Sequence, residues 1–600
     1  MRSVSRLFLG LVLLLCCVPL KAQWSGSVDL SGGMGGMVSE VFEDKPMIHG
    51  LAQGTFQLNY QTGKFKWGTT VKGKWEPKWT DNSRLSVKDQ MLTAVYKAAY
   101  TRPLTTSIKS DFQWTPSTER KYSTWILYEY QNDRAQNHSM NYNAESEESE
   151  KFSYYYELPK MDQHKFETGL NTSRIFHDGR SKLQSSLAFQ AVTSQRINTW
   201  IVFKSDAEDG GTAVNLDDDV QGYAWMYRIT PSGTDFKLDG DIHLQMTALD
   251  GAAQLKYAPG LRIASRHSLD QNSGATRINV TPGTEPGTWR DSTRLRETFN
   301  YLSLWAEPYL TADFHWNSVE AHADYACQIY SRRLNDDTHQ QPLKIKGVYP
   351  VGKGNVKWTI SPVHSLNLVN EMSVSHPDYL KICWYDRTAG YLDQLYRGNE
   401  QLLSPAKTRF ALEYGIKWKR FISNTSVGYT HVSNEIDQTW FNEEIDGRLY
   451  KVFRWLNSAN SHTLGLEQKL GWRGKIITAN AGVVYNQTQR IAKSDGAVKK
   501  TFDWRLTGDI NAKLGKGWSI GAKAKYQSKV ATFFTIFKEY CELNAYVQKD
   551  FKHITLYLEG HDLLDQPRET SFESEELKEY WVEEVRSNRR TYIIGAKWKF

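Results

Sequence analysis

Fifteen histidines, several acidic runs and five cysteines are the side chains in this 600-residue sequence best suited to chemistry. A hydrolase needs a nucleophile beside a base, or two carboxylates flanking one bond. The histidines stand in no HExxH signature, and no nucleophile elbow is read along the chain. Asp206, Glu208, Asp209, Asp217, Asp218 and Asp219 could supply oxygen ligands to Ca²⁺. Their spacing equally suits a solvated acidic loop, and they are assigned that way. The run Glu145, Glu147, Glu148 and Glu150 is assigned likewise. Beyond Cys16 and Cys17, the cysteines are Cys327, Cys383 and Cys541. Three distant thiols imply neither a disulfide framework nor a CxxC metal site. Lys66, Lys72, Lys74, Lys523 and Lys525 could attract anionic solutes, or simply solvate a wall. Tyr154, Tyr155 and Tyr156 could contact sugars, or pack. No catalytic, cofactor-binding or metal-binding residue is assigned, and the chain is read as non-enzymatic.

The elements that would position these groups are strands. Phe65, Trp67, Thr69, Val71, Gly73 and Trp75 alternate with Lys66, Gly68, Thr70, Lys72 and Lys74. Phe56, Leu58 and Tyr60 precede them, across a turn at Gln61-Thr62-Gly63. Phe502, Trp504, Leu506, Gly508, Ile510, Ala512 and Leu514 repeat the pattern. They return through Gly515-Lys516-Gly517 into Trp518, Ile520, Ala522, Ala524 and Tyr526. Leu464, Leu466, Leu470 and Trp472 turn at Arg473-Gly474-Lys475 and return through Ile477, Ala479, Ala481, Val483 and Tyr485. This is period-two alternation, one face apolar and aromatic, the other polar. The strands are about ten residues or longer, as tilted membrane-spanning strands must be, at roughly 9–11 residues. Their apolar faces begin or end in Trp and Tyr, where a barrel carries its interfacial girdle. A secreted sandwich would need no such girdle.

The N-terminus agrees. Arg2 and Arg6 precede the apolar run Leu7–Leu20, and Ala22 offers a small residue before a cut. Residues 1–22 are read as a secretory signal peptide, and 23–600 as one domain. No later stretch is long and apolar enough for a spanning helix. Mean hydropathy is −0.57, yet aromatics make up 13% of the chain. A barrel reconciles the two, because every second residue faces the lumen. Net charge is +7, from 74 basic and 67 acidic residues mixed along the chain. No basic domain is concentrated enough for nucleic acid.

Short turns recur at Gln61, His177-Asp178-Gly179, Arg473-Gly474 and Gly515-Lys516-Gly517. Long polar segments lie near 133–161, 205–221, 265–297, 373–405, 487–499 and 564–588. Glu575–Arg586 is the stretch nearest to a helix, or a loop into the last strand. Barrels of the outer membrane have short periplasmic turns, long extracellular loops and an even strand count. The fold class is therefore all-β, a transmembrane antiparallel barrel of about 22 strands, within 20–24.

Three motifs carry a family resemblance. Leu366–Glu371 runs to His376-Pro377-Asp378-Tyr379-Leu380. Then come Gly398-Asn399-Glu400-Gln401-Leu402-Leu403-Ser404-Pro405 and a strand with Leu412-Glu413-Tyr414-Gly415. In this order they resemble the barrel of TonB-dependent receptors, in the outer-membrane protein β-barrel family common in Bacteroidota. His376 stands where that family has arginine, and Glu400 and Ser404 depart from its loop. His561-Asp562-Leu563-Leu564-Asp565 is similar to its penultimate-strand motif. The last strand, Thr591 to Phe600, resembles the signal read by the barrel-assembly machinery, so Phe600 should lie at the periplasmic face. The resemblance implies a Gram-negative outer membrane, its lipid as environment, and a role in transport. Family receptors carry a plug before the barrel, and none is read between Gln23 and the first strand. The expectation is a plugless barrel working with a separate plug or surface lipoprotein. A porin narrowed by its own loops, or a surface-binding barrel without conduction, are the alternatives.

Overall fold

The computed structural model describes residues 24–600 except 40–44, 89–90, 144–151, 158–159, 177–178, 206–222, 279–289, 292–296, 337–341, 383–385, 389–393, 446–447, 532–534, 575–578 and 588–589. The proposed signal peptide, both acidic runs and Cys383 lie outside the described residues.

Alternation becomes architecture through backbone pairing. Twenty-two antiparallel strands, each bonded to its neighbour in sequence, close into one cylinder. The first, Trp24–Ser39, pairs with the second, Lys45–Gln61, and on its other edge with the last, Thr591–Lys599. Gly26 and Phe600 exchange both backbone hydrogen bonds, at 3.0 and 3.1 Å. The Phe600 ring packs on Gly26, where a Cβ would come within 2.6 Å of it. Tyr557, on the strand Ile554–His561, passes over Gly595 and donates to Asp29 Oδ1 at 2.8 Å. A side chain at residue 595 would overlap that ring.

Trp24 and Phe600 lie together at the end of the cylinder that carries the short connections. These include Asn317-Ser318, Lys419-Arg420 and Lys516-Gly517, with Asn317, Lys419, Lys516 and Gly517 all at positive φ. The turn expected at Gln61-Thr62-Gly63 is present, closed by Phe65 N donating to Thr62 Oγ1 at 3.1 Å. The longer connections lie at the opposite end. Barrel convention makes the first end periplasmic and the second extracellular.

The two faces separate as the pattern requires. Leu187, Phe236, Ile242, Leu304, Leu368, Leu466, Trp504 and Ile594 are exposed apolar side chains on the outer face. On a soluble protein so continuous a patch would be a liability, whereas here it is the lipid contact. Lys66, Lys72, Lys74, Lys523 and Lys525 occupy the alternate, lumen-facing positions of their strands.

The strands outrun the membrane. Tyr223–Leu249 has 27 residues, and Ala253–Ile278 and Arg448–Arg473 have 26 each. At about 3.4 Å per residue and a tilt of about 40°, such a strand rises about 70 Å, against about 30 Å of hydrocarbon. This corrects two expected loop limits: strands run on to Asn143 and Ile278. Above the bilayer both faces meet water, so alternation fades while pairing continues. The segment 564–588 also differs from expectation, carrying the hairpin Arg568–Ser574 and Glu579–Ser587. Tyr580, Trp581, Val582 and Val585 favour strand over helix there. Glu579–Ser587 pairs with Lys78–Lys88, which pairs with Met91–Thr101 and so with the upper end of Arg120–Asn143. Loop strands thus knit the outer rim and cover edges that would otherwise stand open.

Leu187 lies mid-belt on the strand Ser181–Ser205, while Gln190 faces the lumen between Glu167 and Lys237. Leu187→Arg should cost about 2–4 kcal/mol, and Gln190→Arg almost nothing. Reversible urea unfolding in lipid vesicles reads both. Equal costs for the two would mean that the faces are wrongly assigned.

Candidate functional site on the inner wall

On the strands Tyr223–Leu249, Ala253–Ile278, Glu297–Trp316 and Val319–Asp336, the lumen-facing positions hold a dense cluster of charge. Leu261 and Ile263 face lipid, so Arg262, Ala264, Arg266 and Ser268 face inward. Arg262 donates through Nη2 to both oxygens of Asp324, at 2.9 and 3.1 Å. Its Nε lies 3.5 Å from Asp241, and Nη1 lies 4.0 Å from Glu307. Its guanidinium stacks 3.9 Å above the Tyr309 ring. Tyr309 donates to Asp241 at 2.9 Å, and His243 Nδ1 bonds the same carboxylate at 2.8 Å. Arg266 and Ser268 both donate to Asp235. One planar cation spanning three acids suits arginine, whose fork fixes geometry as well as charge.

The network continues into a segment that folds inward. Glu307 accepts from Gln328 Nε2. Gln328 Oε1 accepts from His376 Nε2 at 2.6 Å, and His376 Nδ1 bonds Ser404 Oγ at 2.8 Å. His376 stacks on Tyr330 at 4.0 Å. Arg332 donates to the carbonyl of Pro377 and lies 5.0 Å over the Tyr330 ring. The expected outward loop at 373–405 is therefore corrected. Its ends close at Ser375 N to Pro405 O, and between them the chain crosses the inner face. A short helix, Tyr379–Ile382, puts Ile382 against Phe299, Tyr301 and Leu334, with Leu402 in the same apolar cluster. Ile382 and Leu334 are each 1% exposed, so this contact is a core and not a surface brush.

Polar side chains fasten the far side. Asn399 Nδ2 donates to Trp455 O at 2.9 Å. Asn457 bonds both backbone groups of Leu403, at 2.8 and 3.0 Å, and the carbonyl of Asn434. Arg397 pairs with Glu443 at 2.7 Å. Gln394–Arg397 adds a parallel strand to Lys451–Arg454. The Gly398–Pro405 motif thus works as an anchor: its asparagine and its backbone tie the segment to the wall.

The remaining sequence candidates separate. Lys74 pairs with Glu76 at 2.5 Å, and Lys525 lies 5.4 Å over the Tyr540 ring. The five lysines sit on two separate strands, three on Phe65–Trp75 and two on Trp518–Gln527, and form no common site. Tyr154, Tyr155 and Tyr156 form part of the strand Phe152–Glu157. Cys327 is exposed on the lipid side, and Cys541 is partly so. The spacing Gly517-Trp518-Ser519-Ile520-Gly521 matches a nucleophile elbow in letters only. Ser519 sits in the strand Trp518–Gln527, not at a strand-to-helix turn. The described residues contain no cluster of His, Cys, Asp and Glu able to hold a metal. Sequence reasoning missed the Arg262 network. Its signal was present, as arginines at lumen positions facing Asp235, Asp239 and Asp241 on the next strand.

Burial, and then the Arg332 charge, hold the His376 imidazole down from 6.5 to about 4. The docked segment therefore contains the neutral ring. Undocked, the ring protonates through 6.5, so docking weakens as pH falls from about 6.5 towards about 4 and levels off below. Hydrogen exchange of peptides covering 375–405 should show protection that drops across this window. His376→Gln should flatten the drop. An unchanged pH profile in that variant would assign the effect elsewhere.

Solved structures share this architecture. The siderophore receptor PiuA from Acinetobacter baumannii superposes with a TM-score of 0.62 at 12% identity, covering 96% of this chain and 82% of that one. The ferric-catecholate import receptor Fiu from E. coli K12 gives 0.55 at 12%, covering 96% and 82%. The copper transporter OprC gives 0.57 at 10%, covering 97% and 84%. At such identities the likeness is one of fold. No curated protein matches in sequence. Residues 354–598, which carry the motifs and make up about two-fifths of the chain, match the outer membrane protein beta-barrel family, and the closed 22-strand wall with its apolar belt is a transmembrane β-barrel of the outer-membrane type.

Proposed function

We propose that this barrel is the wall of an outer-membrane transport assembly whose lumen is filled by a separate partner. In this reading residues 1–22 export the chain, and the barrel-assembly machinery takes up the last strand ending at Phe600. A plug-bearing subunit or surface lipoprotein then completes the pore. The observation that carries the reading is the size of the cylinder. Twenty-two strands spaced about 4.8 Å apart and tilted about 40° enclose a ring about 40 Å across. Barrels of this width are kept plugged, whereas 16–18-stranded porins leave a channel. Among the described residues, only the segment 375–405 is seen crossing the inner face, and it lies along one side. The wall offers a partner paired charges, not an apolar surface, which suits reversible association.

A second reading, a porin narrowed by its own loops, draws support from that same segment. Conductance separates the two. The purified barrel in planar bilayers should pass large currents, and barrel isolated with its partner from native membranes in mild detergent should pass little. A barrel that purifies alone from native membranes, with the small steady conductance of a narrow pore, would favour the porin and end the partner proposal.

A further inference from the structure

A cavity on the lipid side of the wall is used by none of the chemistry above. Its volume is about 320 Å³, and its lining includes Thr193, Gln195, Ser232, Thr234, Leu269 and Gln271. Strand register fixes its height. Tyr130, His164, Thr193, Thr234 and Leu269 form one row across five strands. Asn132, Asp162, Gln195, Ser232 and Gln271 form the next row outward. The row beneath is Tyr128, Phe166, Ala191, Phe236 and His267, and below it the face is the apolar belt of Phe189, Leu238 and Ile126. All these side chains share the outer face. The cavity therefore opens where hydrocarbon gives way to headgroups, on the side of the long loops, which is the outer leaflet.

Its chemistry is specific in two respects. Ala191 is small between Phe166 and Phe236, so the floor is open towards the belt. Phe236 stacks with Phe189 at 6.3 Å and with His267 at 6.4 Å, leaving an aromatic ledge at the cavity's lower edge. Above the ledge the side chains of Thr193, Gln195, Ser232, Thr234 and Gln271 have no protein partner among the described residues. The charged groups are already engaged. Asp162 accepts from Tyr130 at 2.9 Å and from Asn132, and Lys160 stands 3.7 Å away. His164 Nδ1 bonds Tyr128 at 2.9 Å. Among the described residues no uncommitted cation faces the cavity, so a phosphate has little to hold it. Uncommitted hydroxyls and amides over an aromatic ledge suit an uncharged sugar ring, and the open floor suits acyl chains running down the belt.

We propose that this cavity binds the saccharide headgroup of an outer-leaflet glycolipid, whose acyl chains lie over Ala191 along Phe166, Phe189 and Leu238. The test uses full-length barrel extracted from its native outer membrane, with glycolipid retained per barrel measured by native mass spectrometry. Thr193→Trp and Ser232→Trp fill the cavity, and Ala191→Leu closes its floor with a milder change. Gln487→Trp places the same bulk on the outer face of a distant strand. Heat-modifiable migration on gels confirms that each variant is folded. Retention should fall about tenfold in the three cavity variants and stay at the wild-type level in Gln487→Trp. Rebinding of purified lipopolysaccharide to delipidated barrel should resist competition by phospholipid vesicles and yield only partly to the deacylated saccharide. Wild-type retention in folded cavity variants would overturn the proposal. So would equal displacement by phospholipid, which would make the cavity an ordinary lipid contact.

Discussion

Every feature of this protein depends on closing the sheet. In hydrocarbon an unpaired backbone N–H or C=O costs several kcal/mol, so an open edge is not an option. The seam between Trp24–Ser39 and Thr591–Lys599 is where the constraint is met last. Sequence-distant residues are therefore chosen for one another there. Gly26 leaves room for the Phe600 ring, and Gly595 leaves room for Tyr557 to cross the last strand and reach Asp29. The terminal aromatic is part of the joint, since its own N–H and C=O pair with Gly26. The packing of its ring on Gly26 gives a structural reason for an aromatic at position 600.

Closure also decides the character of the interior. A cylinder fixes alternation, so each lipid-facing side chain has lumen-facing neighbours that must tolerate water or each other. The inner wall answers with paired charge: Arg262 with three acids, Arg266 with Asp235, Lys237 with Asp239 at 2.8 Å. Exposed pairs of this kind contribute little stability each, about 0–1 kcal/mol. Their effect is to keep the lumen wet and free of apolar adhesion. The exception is the patch of Phe299, Tyr301 and Leu334, and there the 375–405 segment packs. The apolar residues on the inner wall thus mark where the chain covers itself.

The wall was legible in the sequence because period two is imposed by two solvents at once. Phe502 to Leu514 and Trp518 to Tyr526 fall on the outer face residue by residue, as alternation predicts. Legibility fails where only one solvent acts. The strand Phe152–Glu157, and Ala253–Ile278 beyond Ser265, continue the pairing through stretches that read as long polar segments. The infolded segment was hidden for another reason. Its few buried side chains, Ile382 and Leu402, have no periodicity, and its anchors are single asparagines whose partners are backbone groups more than 50 residues away. The family motif flagged those residues without saying what they do. The Arg262 network stood between these cases: each arginine could be placed on the inner face, but its partners depend on register across four strands.

These two parts of the structure differ in how tightly they are held, and the difference bears on what can move. A wall strand is bonded along its whole length on both edges, and losing one would reopen the sheet to lipid. The infolded segment is held by separate contacts: Arg332 to Pro377, His376 to Gln328 and Ser404, Arg397 to Glu443, and Asn399 and Asn457 to backbone. Each such bond is worth about 0.5–1.5 kcal/mol net, because water replaces it when it breaks. Together with the Ile382 and Leu402 contacts, they add up to an energy that a bound solute or partner can match by preferring one position of the segment. A change of state in this barrel therefore belongs to the segment and its polar latch at His376, while the cylinder serves as the fixed frame against which that segment is positioned.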